Sequence, residues 1–368
     1  MTGLSDSEAV RVAVTLEQVW HQVPGGSARA VLDAVRAVAA RGDVEQIGVS
    51  AWHRQPPPAA WAPSIPVRQL PLPRIPLYDA WQRLRRPHVE RATGPVDVVH
   101  ATAHVASASR APWVATVHDL HFLHEPGHFT RRGVSVFTRF LDLVRAEAAA
   151  VLCPSEATRA DCVAAGIEVG RTHLVPWATA SAPVDAAAVE AARARHGLTR
   201  PFVLFAGTLE PRKNLPRLIE AHRRLGRDDV DLVVAGPDGW HEDLDPTGVR
   251  RVGFLPREDL DALYAAAAVV AYPSLREGFG LPVLEAMVQG ATVVTSRGTA
   301  TAEVAGDAGV LVDPLDVDSI AAGLATALER RREDAAGEAA RARDRAATFT
   351  WARTADATVA AYEEARRR

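Results

Sequence analysis

The sequence predicts an α/β protein of two domains, each built around a parallel β-sheet, that face each other across a cleft. Its 368 residues are more than one ordinary domain needs. Hydrophobic residues make up 48% of the chain, which is enough for two buried cores. Short apolar strands alternate with helical stretches in both halves, the order typical of parallel sheets covered by helices. Ligands of such sheets bind at the carboxyl ends of the strands, so the site is expected in the loops that follow the strands.

The first half begins with a buried strand, VRVAVTL at 10–16, and a helix at 25–42 that opens with a glycine pair. Further strands are predicted where apolar runs end in polar residues, at 44–52, 95–102, 112–120 and 148–155. The first domain is expected to span residues 1–180, with a hinge near 179–184.

The second half repeats the alternation over residues 181–348. Its predicted strands are PFVLFAGTL, VDLVVAGP, VRRVGFL, AVVAYPS and ATVVTS. Its predicted helices are NLPRLIEAHRRLG, REDLDALYAAA, PVLEAMVQG and VDSIAAGLATALERRRED.

Composition narrows the class of protein further. The formal net charge of −3 offers no attraction for a polyanion, so nucleic acid is not an expected partner. Cys153 and Cys162, the two cysteines, are too few for a disulfide framework and indicate a reducing setting. No apolar run reaches the roughly 18 residues of a membrane span, and the start MTGLSDSEAV lacks the pattern of a signal peptide. We therefore expect a cytoplasmic protein.

A proline-rich stretch at 55–92 interrupts the first domain. One interpretation is an irregular excursion over the surface. The other is peripheral contact with the inner membrane face through residues 72–92, where arginines flank apolar side chains. The apolar residues are Leu77, Tyr78, Trp81 and Leu84, and the arginines are Arg83, Arg85 and Arg86.

Two strand ends in the first half carry candidate site residues. Gly25 and Gly26 lack Cβ atoms and open a helix, so their backbone N–H groups can approach an anion; a simple tight turn is the alternative. His118, followed by Asp119 in TVHDLH, can donate a hydrogen bond to a sugar hydroxyl or carry charge. The alternative for His118 is a histidine whose partners all lie within the fold.

The segment GTLEPRKN follows the first strand of the second half and holds Arg212 beside Lys213, the single lysine of the chain. A guanidinium can bind two phosphate oxygens at once, and an ammonium adds a compact point charge. With the N-terminus of the following helix, the pair predicts a diphosphate site that needs no metal. Two solvated loop charges are the alternative, which the rarity of lysine disfavours.

The segment REGFGLPVLEAM gives the strongest signal. Glu277 and Glu285 lie eight residues apart, and Pro282 predicts that a helix begins between them. Glu277 should therefore lie on a loop and Glu285 just inside the helix, directed at different parts of one ligand. Gly278 and Gly280 permit close backbone approach, and carboxylates suit the vicinal hydroxyls of a ribose or hexose.

Metal chemistry is not expected. The chain contains neither a GxxxxGK[ST] loop nor a zinc-type cluster. Asp-x-Asp pairs occur at Asp243–Asp245 and Asp316–Asp318, but neither directly follows a buried strand. Glu303 lies in another loop that follows a strand, and by itself it indicates no particular function.

Together these motifs resemble the retaining glycosyltransferases of family 4, the group 1 glycosyltransferases, which have two Rossmann-like domains in the GT-B arrangement. The resemblance is densest from Pro201 to Pro314 and rests on FAGTLEPRKNLPRLIEAHRRL, PSLREGFGLPVLEAM and EVAGDAGVLVDP. FTWARTADATVAAYEEA resembles the terminal helix of that family, which implies that residues 349–368 cross back onto the first domain.

The resemblance assigns roles to individual residues. It implies that Arg212 and Lys213 hold the diphosphate of a nucleotide sugar, that Glu277 contacts the sugar and that Glu285 binds the ribose. His118 matches a histidine near the transferred sugar, and Thr208 stands where some relatives have a basic residue. The residues whose backbone amides would bind sugar hydroxyls, phosphate or acceptor are Gly25, Gly26, Gly278, Phe279, Gly280 and Leu281.

The implied reaction is transfer of a hexose from a nucleotide diphosphate sugar to a hydroxyl of a glycan, lipid-linked or small-molecule acceptor, with retained configuration. The segments GTLEPRKN and HDLHFLHEP resemble the corresponding segments of mannosyltransferases. This resemblance suggests GDP-mannose as the donor and polysaccharide biosynthesis as the role. Two alternatives stay open: a hydrolysing sugar-nucleotide epimerase of the same architecture, and a sugar-nucleotide-binding protein without turnover.

Overall fold

The computed structural model of the protein describes residues 9–21, 25–237 and 247–368. The chain divides into two compact units. The first ends at Ala178 and includes Thr350–Arg368, and the second consists of Thr179–Phe349. Among the described residues each unit holds one sheet, and the paired strands of both sheets run parallel. The predicted α/β class with a parallel sheet in each half is confirmed.

The first unit is built on seven strands among its described residues. They are β1 Val10–Thr15, β2 Val44–Ser50, β3 Val67–Gln69, β4 Val98–Ala101, β5 Trp113–Thr116, β6 Ala150–Cys153 and β7 Thr172–Leu174. The helices are α1 Gly25–Ala39, α2 Arg74–Leu84, α3 Glu90–Thr93, α4 His121–His124, α5 Arg131–Glu147 and α6 Glu156–Ala164. The strand order is β3-β2-β1-β4-β5-β6-β7.

The second unit has six strands in the part of the chain that the structure describes. They are β8 Phe202–Ala206, β9 Asp231–Ala235, β10 Val249–Gly253, β11 Val269–Tyr272, β12 Val293–Ser296 and β13 Val310–Val312. The helices are α7 Ala186–Arg195, α8 Leu215–Leu225, α9 Arg257–Ala266, α10 Leu281–Val288, α11 Ala300–Ala305, α12 Val317–Glu333 and α13 Ala335–Ala346. The strand order is β10-β9-β8-β11-β12-β13.

The C-terminal helix, α14 (Trp351–Arg367), belongs to the first unit. Strand side chains alternate between the two faces of a sheet, so Val12 and Val14 pack in one core cluster and Ala13 in another. The α14 residue Tyr362 is buried in the cluster with Val12 and Val14, and its hydroxyl lies 2.7 Å from Nδ1 of His100 on β4. The helix therefore covers one face of the first sheet.

The order of strands reverses direction between β1 and β4 in the first sheet and between β8 and β11 in the second. Loops that leave such neighbouring strands diverge and open a crevice at the carboxyl edge, where α/β sheets bind ligands. In the second unit these loops are 207–214, after β8, and 273–280, after β11. They carry the predicted Arg212, Lys213 and Glu277.

The proline-rich stretch corrects two expectations. It is not merely an irregular excursion, since it supplies the edge strand β3 and the helix α2. Nor do its apolar residues form a face for lipid: Leu77 and Trp81 are buried in the core of the first unit, and Tyr78 packs against that core. Only Leu84 of the four is exposed, because the helix turns its apolar stripe inward. Across the described residues we find no helix with the length and hydropathy of a membrane span.

Candidate active site

Loops 207–214 and 273–280 are held together by backbone and side-chain hydrogen bonds. The N–H of Leu275 donates to the carbonyl of Arg212 at 2.8 Å. Asn214 is buried with a left-handed φ of 61°, and its Nδ2 donates to the carbonyls of Pro273 at 2.9 Å and Pro314 at 2.6 Å. Asn214 thus fixes the loop that carries the two cations, a role that sequence reasoning missed. The available signal was an asparagine directly before a predicted helix, because asparagine adopts positive φ more readily than most other residues.

Glu277 bridges the two predicted phosphate-binding cations. Its Oε2 lies 2.6 Å from a guanidinium nitrogen of Arg212, and its Oε1 lies 2.6 Å from Nζ of Lys213. Lys213 is 8% exposed, Glu277 9% and Arg212 25%, so water screens these contacts only weakly. The structure therefore brings three of the four predicted catalytic residues into one buried cluster.

The two positive charges of this cluster are balanced by two carboxylates. Burial raises the pKa of Glu277, but Arg212 and Lys213 outweigh burial and bring that pKa down to about 2. Burial lowers the pKa of Lys213, and the Glu277 carboxylate opposes that effect. A second carboxylate, Glu210, lies 2.8 Å from Nε of Arg212. A diphosphate can bind here by taking the place of carboxylate oxygens on the two cations.

Tyr272, the last residue of β11, completes the surroundings of Lys213. Its hydroxyl accepts a hydrogen bond from Nζ of Lys213, and Nζ lies 4.7 Å from the centre of the phenol ring. Burial raises the pKa of Tyr272 well above its ordinary value, so the phenol stays protonated. Sequence reasoning missed Tyr272 because it reads as one more core residue of a buried strand.

Glu285, in the first turns of α10, is paired with a residue that the sequence did not single out. Its Oε1 lies 2.6 Å from a guanidinium nitrogen of Arg257 at the start of α9. Burial raises the pKa of Glu285, and the Arg257 charge opposes the rise. Arg257 also contacts Asp261 at 3.0 Å, and Asp261 accepts a hydrogen bond of 2.7 Å from the Ser181 hydroxyl.

The glycine loop before α10 has the predicted backbone freedom. Gly280 has φ +114°, a backbone conformation that favours glycine. A Cβ at this position would also lie 2.8 Å from Cγ2 of Thr301, so there is no space for a larger residue. Phe279 is buried and its ring packs edge-on against Phe349, which leaves only its backbone for a ligand. Gly278, Leu281 and Thr208 are partly exposed, Thr208 in the loop after β8.

His118 follows β5 in the first unit and is held as a neutral ring. Its Nε2 donates to the Thr102 carbonyl at 2.7 Å, and its N–H donates to Nε2 of His104 at 3.2 Å. Burial lowers the pKa of His118 to about 4, so the predicted option of a charged imidazole does not hold near neutral pH. Nδ1 of His118 is buried and has no hydrogen-bond partner among the described residues. A neutral ring that donates through Nε2 presents a lone pair at Nδ1, so it accepts rather than donates a hydrogen bond there.

The remaining predicted residues belong to other elements of the two units. Gly25, with φ +74°, and Gly26 open α1 of the first unit. Asp316 caps α12 by accepting from the N–H of Asp318, whereas Asp243–Asp245 lies outside the described residues. Among residues 9–21, 25–237 and 247–368 no group of three or more His, Cys, Asp or Glu side chains is arranged to hold a metal ion.

The curated relatives of this chain include mannosyltransferases and D-inositol 3-phosphate glycosyltransferases. The O-antigen chain mannosyltransferase B of Escherichia coli is 41% identical over 176 residues, covering 44% of this chain and 45% of the relative. The MMP alpha-(1->4)-mannosyltransferase of Mycolicibacterium hassiacum is 36% identical over 189 residues, covering 46% of this chain and 45% of the relative. The match therefore spans less than half the length of each relative.

Solved structures share the fold over nearly the whole chain. HepE of Anabaena, crystallised with UDP and glucose, has a TM-score of 0.74 at 20% identity, covering 95% of this chain and 98% of HepE. The lipopolysaccharide glycosyltransferase WaaG has a TM-score of 0.68 at 20% identity, with 95% and 98% covered. At this identity the likeness concerns the fold alone.

Family profiles match both halves. Residues 24–178 match the profile described as Glycosyltransferase Family 4, and residues 189–343 match the profile described as Glycosyl transferases group 1. These two segments hold His118 in the first and Arg212, Lys213, Glu277 and Glu285 in the second. The chain belongs to the group 1 glycosyltransferases of family 4.

Proposed function

We propose that the protein transfers a hexose from a nucleotide diphosphate sugar to an acceptor hydroxyl, with retained anomeric configuration. The observation that carries the proposal is the contact of Glu277 with both Arg212 and Lys213 at 2.6 Å. Two cations held by one carboxylate form a site for a group with two anionic oxygens, and that carboxylate suits sugar hydroxyls once it is displaced. Family membership supports the same reaction class.

In this proposal the bond between the sugar C1 and the phosphate oxygen breaks, and the acceptor oxygen bonds to C1 on the same face. The acceptor proton passes to the leaving phosphate. Arg212 and Lys213 stabilise the negative charge that grows on that phosphate, and the N-terminus of α8 adds positive potential. Removal of one such stabilising group costs about 100-fold to 1000-fold in turnover in other enzymes. The same positive groups make a metal unnecessary, so turnover is expected to persist in EDTA.

The transferred sugar is proposed to be mannose, from GDP-mannose. Two of the relatives described above carry mannosyltransferase names, whereas others are D-inositol 3-phosphate glycosyltransferases and HepE was crystallised with UDP and glucose. The donor base therefore needs a direct test. We would incubate the protein with radiolabelled GDP-mannose or UDP-glucose and a membrane extract, and follow label into product. Transfer from GDP-mannose alone is the expected result.

The same experiment separates the alternatives. Label that stays on the nucleotide with every donor would contradict the transferase proposal and favour a binding protein. Conversion of free donor to its C2 epimer would favour the epimerase. Glu277→Ala and Lys213→Ala variants are expected to lose transfer, and wild-type turnover in either would contradict the assigned site. Arg224→Ala is a matched control, because Arg224 is an exposed arginine paired with Glu220 and Asp318.

A further inference from the structure

A stacked pair of rings lies at the carboxyl edge of the first sheet, outside the cluster described above. Trp20 ends the short turn Glu17–Trp20 that follows β1, and His53 follows β2. Their ring centres are 4.6 Å apart and their planes differ by 4°. Nε1 of Trp20 donates to the carbonyl of Gln55 at 3.0 Å, so the edge of the indole is fixed as well. The pair is therefore a rigid aromatic surface at a strand-end position typical of ligand sites.

A buried carboxylate orients this pair. Glu17 is 3% exposed, and its two oxygens lie 2.8 and 3.0 Å from Nε2 of His53. The N–H of Ala51 also donates to Glu17 at 2.8 Å, and the N–H of His53 donates to the side chain of Gln69 at 3.2 Å. His53 thus donates through Nε2 and cannot turn its ring. The buried Glu17 carboxylate therefore fixes the orientation of the His53 ring and, through it, of the aromatic surface.

Polar groups without protein partners lie beside the aromatic pair. Nε2 of His21 is buried and has no hydrogen-bond partner among the described residues. The Arg74 guanidinium, at the start of α2, has neither a carboxylate nor a hydrogen-bond partner within that same part of the chain. The N–H of Trp52, next to His53, donates to the carbonyl of Leu72 at 2.8 Å, which brings the start of α2 close to the aromatic pair. Burial and then the Arg74 charge lower the pKa of His21. Burial and then the Glu17 charge raise the pKa of Tyr78, one turn along α2, and the Arg74 charge opposes that rise.

This combination fits a saccharide. A pyranose ring has one face of C–H groups, which packs on a flat aromatic ring, and a rim of hydroxyls, which bond to polar side chains. A buried polar atom without a partner, such as Nε2 of His21, costs free energy unless a ligand or water supplies one, and the partly exposed Arg74 can bind a further hydroxyl. We propose that Trp20, Arg74 and His21 form the binding site for a pyranose ring of the acceptor. The proposal rests on the transferase function proposed above.

The test uses the full chain with GDP-mannose as donor and an α-linked mannotriose as acceptor. Trp20→Ala is expected to raise the acceptor KM about tenfold, the effect of losing roughly 1.4 kcal/mol of stacking. Trp20→Phe should restore most of the affinity, and the Kd for GDP should stay at the wild-type value in both variants. Trp61→Ala is the matched control: the Arg29 guanidinium lies 4.4 Å over the Trp61 ring, so that face is not open to a sugar. Circular dichroism of each variant confirms folding.

An unchanged acceptor KM in Trp20→Ala would overturn the proposal, and so would an equal loss of GDP affinity, which would indicate a nucleotide or structural role. If wild-type protein transfers nothing, mannotriose binding is measured directly by saturation-transfer NMR. Binding to wild type that is lost in Trp20→Ala would uphold the saccharide site while the transferase proposal fails. No binding to wild type would overturn the saccharide site itself.

Discussion

Nζ of Lys213 lies 2.6 Å from Oε1 of Glu277, and both side chains are less than a tenth exposed. Removing one partner of a buried ion pair usually costs more than the pair contributes, because the other charge is left without water or counter-ion. A ligand with two anionic oxygens avoids this cost, because it can bind both cations when it displaces the carboxylate. The pair therefore suits exchange with a diphosphate.

Lys213→Arg should abolish most turnover although the charge is conserved. The Glu277 carboxylate and the Tyr272 hydroxyl both contact Nζ, so a planar guanidinium has no room between them. We expect kcat to fall by about 100-fold, with a loss of unfolding free energy no larger than about 2 kcal/mol from overpacking. Steady-state kinetics and urea denaturation measure the two. Arg212→Lys, at a more exposed position, should be milder. Near-normal activity of Lys213→Arg would mean that the single lysine is an accident of codon usage.

Glu277→Gln should separate nucleotide binding from transfer. Without the carboxylate, Arg212 and Lys213 no longer have to exchange partners, so GDP alone is expected to bind about tenfold more tightly. Transfer should fall by about 100-fold, because the contact to the sugar is lost. Calorimetry with GDP and a transfer assay measure both effects. Weaker GDP binding with normal turnover is the opposite pattern and would contradict the site.

Stability at acid pH should reveal the same carboxylate. The pKa of Glu277, about 2, is below its ordinary value of 4.5. The ionised form therefore stabilises the fold above pH 4.5, and this contribution is lost as the pH falls from 4.5 toward 2. Glu277→Gln should show a shallower decline in unfolding midpoint over that range than wild type. Parallel declines in the two proteins would contradict the prediction.

Arg257→Ala should weaken nucleotide binding through Glu285. The pKa of Glu285 is already raised by burial, and loss of the guanidinium 2.6 Å away would raise it further and favour the uncharged acid. We expect the Kd for GDP to rise about tenfold. The double variant Arg257→Ala with Glu285→Gln should lose little more than either single variant, since both remove one interaction. Additive losses would indicate that Arg257 acts elsewhere.

The first unit should lose stability between pH 6.5 and 4. Burial lowers the pKa of His118 to about 4 and that of His100 to about 3, whereas unfolded histidine titrates at about 6.5. Below pH 6.5 the unfolded chain therefore binds more protons than the folded chain, and the free energy of unfolding decreases as the pH decreases. The unfolding midpoint at pH 7.5, 6.5 and 5.0 measures this, and His118→Asn should lessen the slope. A midpoint independent of pH over this range would be inconsistent with the neutral rings.

The loops of the site are predictable from the sequence, whereas the contacts between them are not. Strand patterns place Lys213 and Glu277 at carboxyl ends of strands, and Pro282 marks the start of α10. Their pairing spans 64 residues and depends on β8 lying beside β11, which no local pattern encodes. The contact of Arg257 with Glu285 likewise depends on how α9 and α10 pack.

The proline-rich stretch shows a second limit. Leu77 and Trp81 lie four residues apart, a spacing that places them on one face if the segment is a helix. Spacing does not say whether that face meets a core or a lipid surface, and here it meets the core. Strand β3 has three residues, too few to show an alternating pattern.

The scarcity of lysine has a practical consequence. A lysine-specific protease has a single bond to cut in this chain, between Lys213 and Asn214, and both residues are buried in the native structure. Cleavage therefore requires local opening of the phosphate-binding loop, so its rate reports how often that loop opens. A bound donor should slow the appearance of the two fragments. The cleavage rate of unlabelled wild-type protein would then measure how much of the site is occupied by donor.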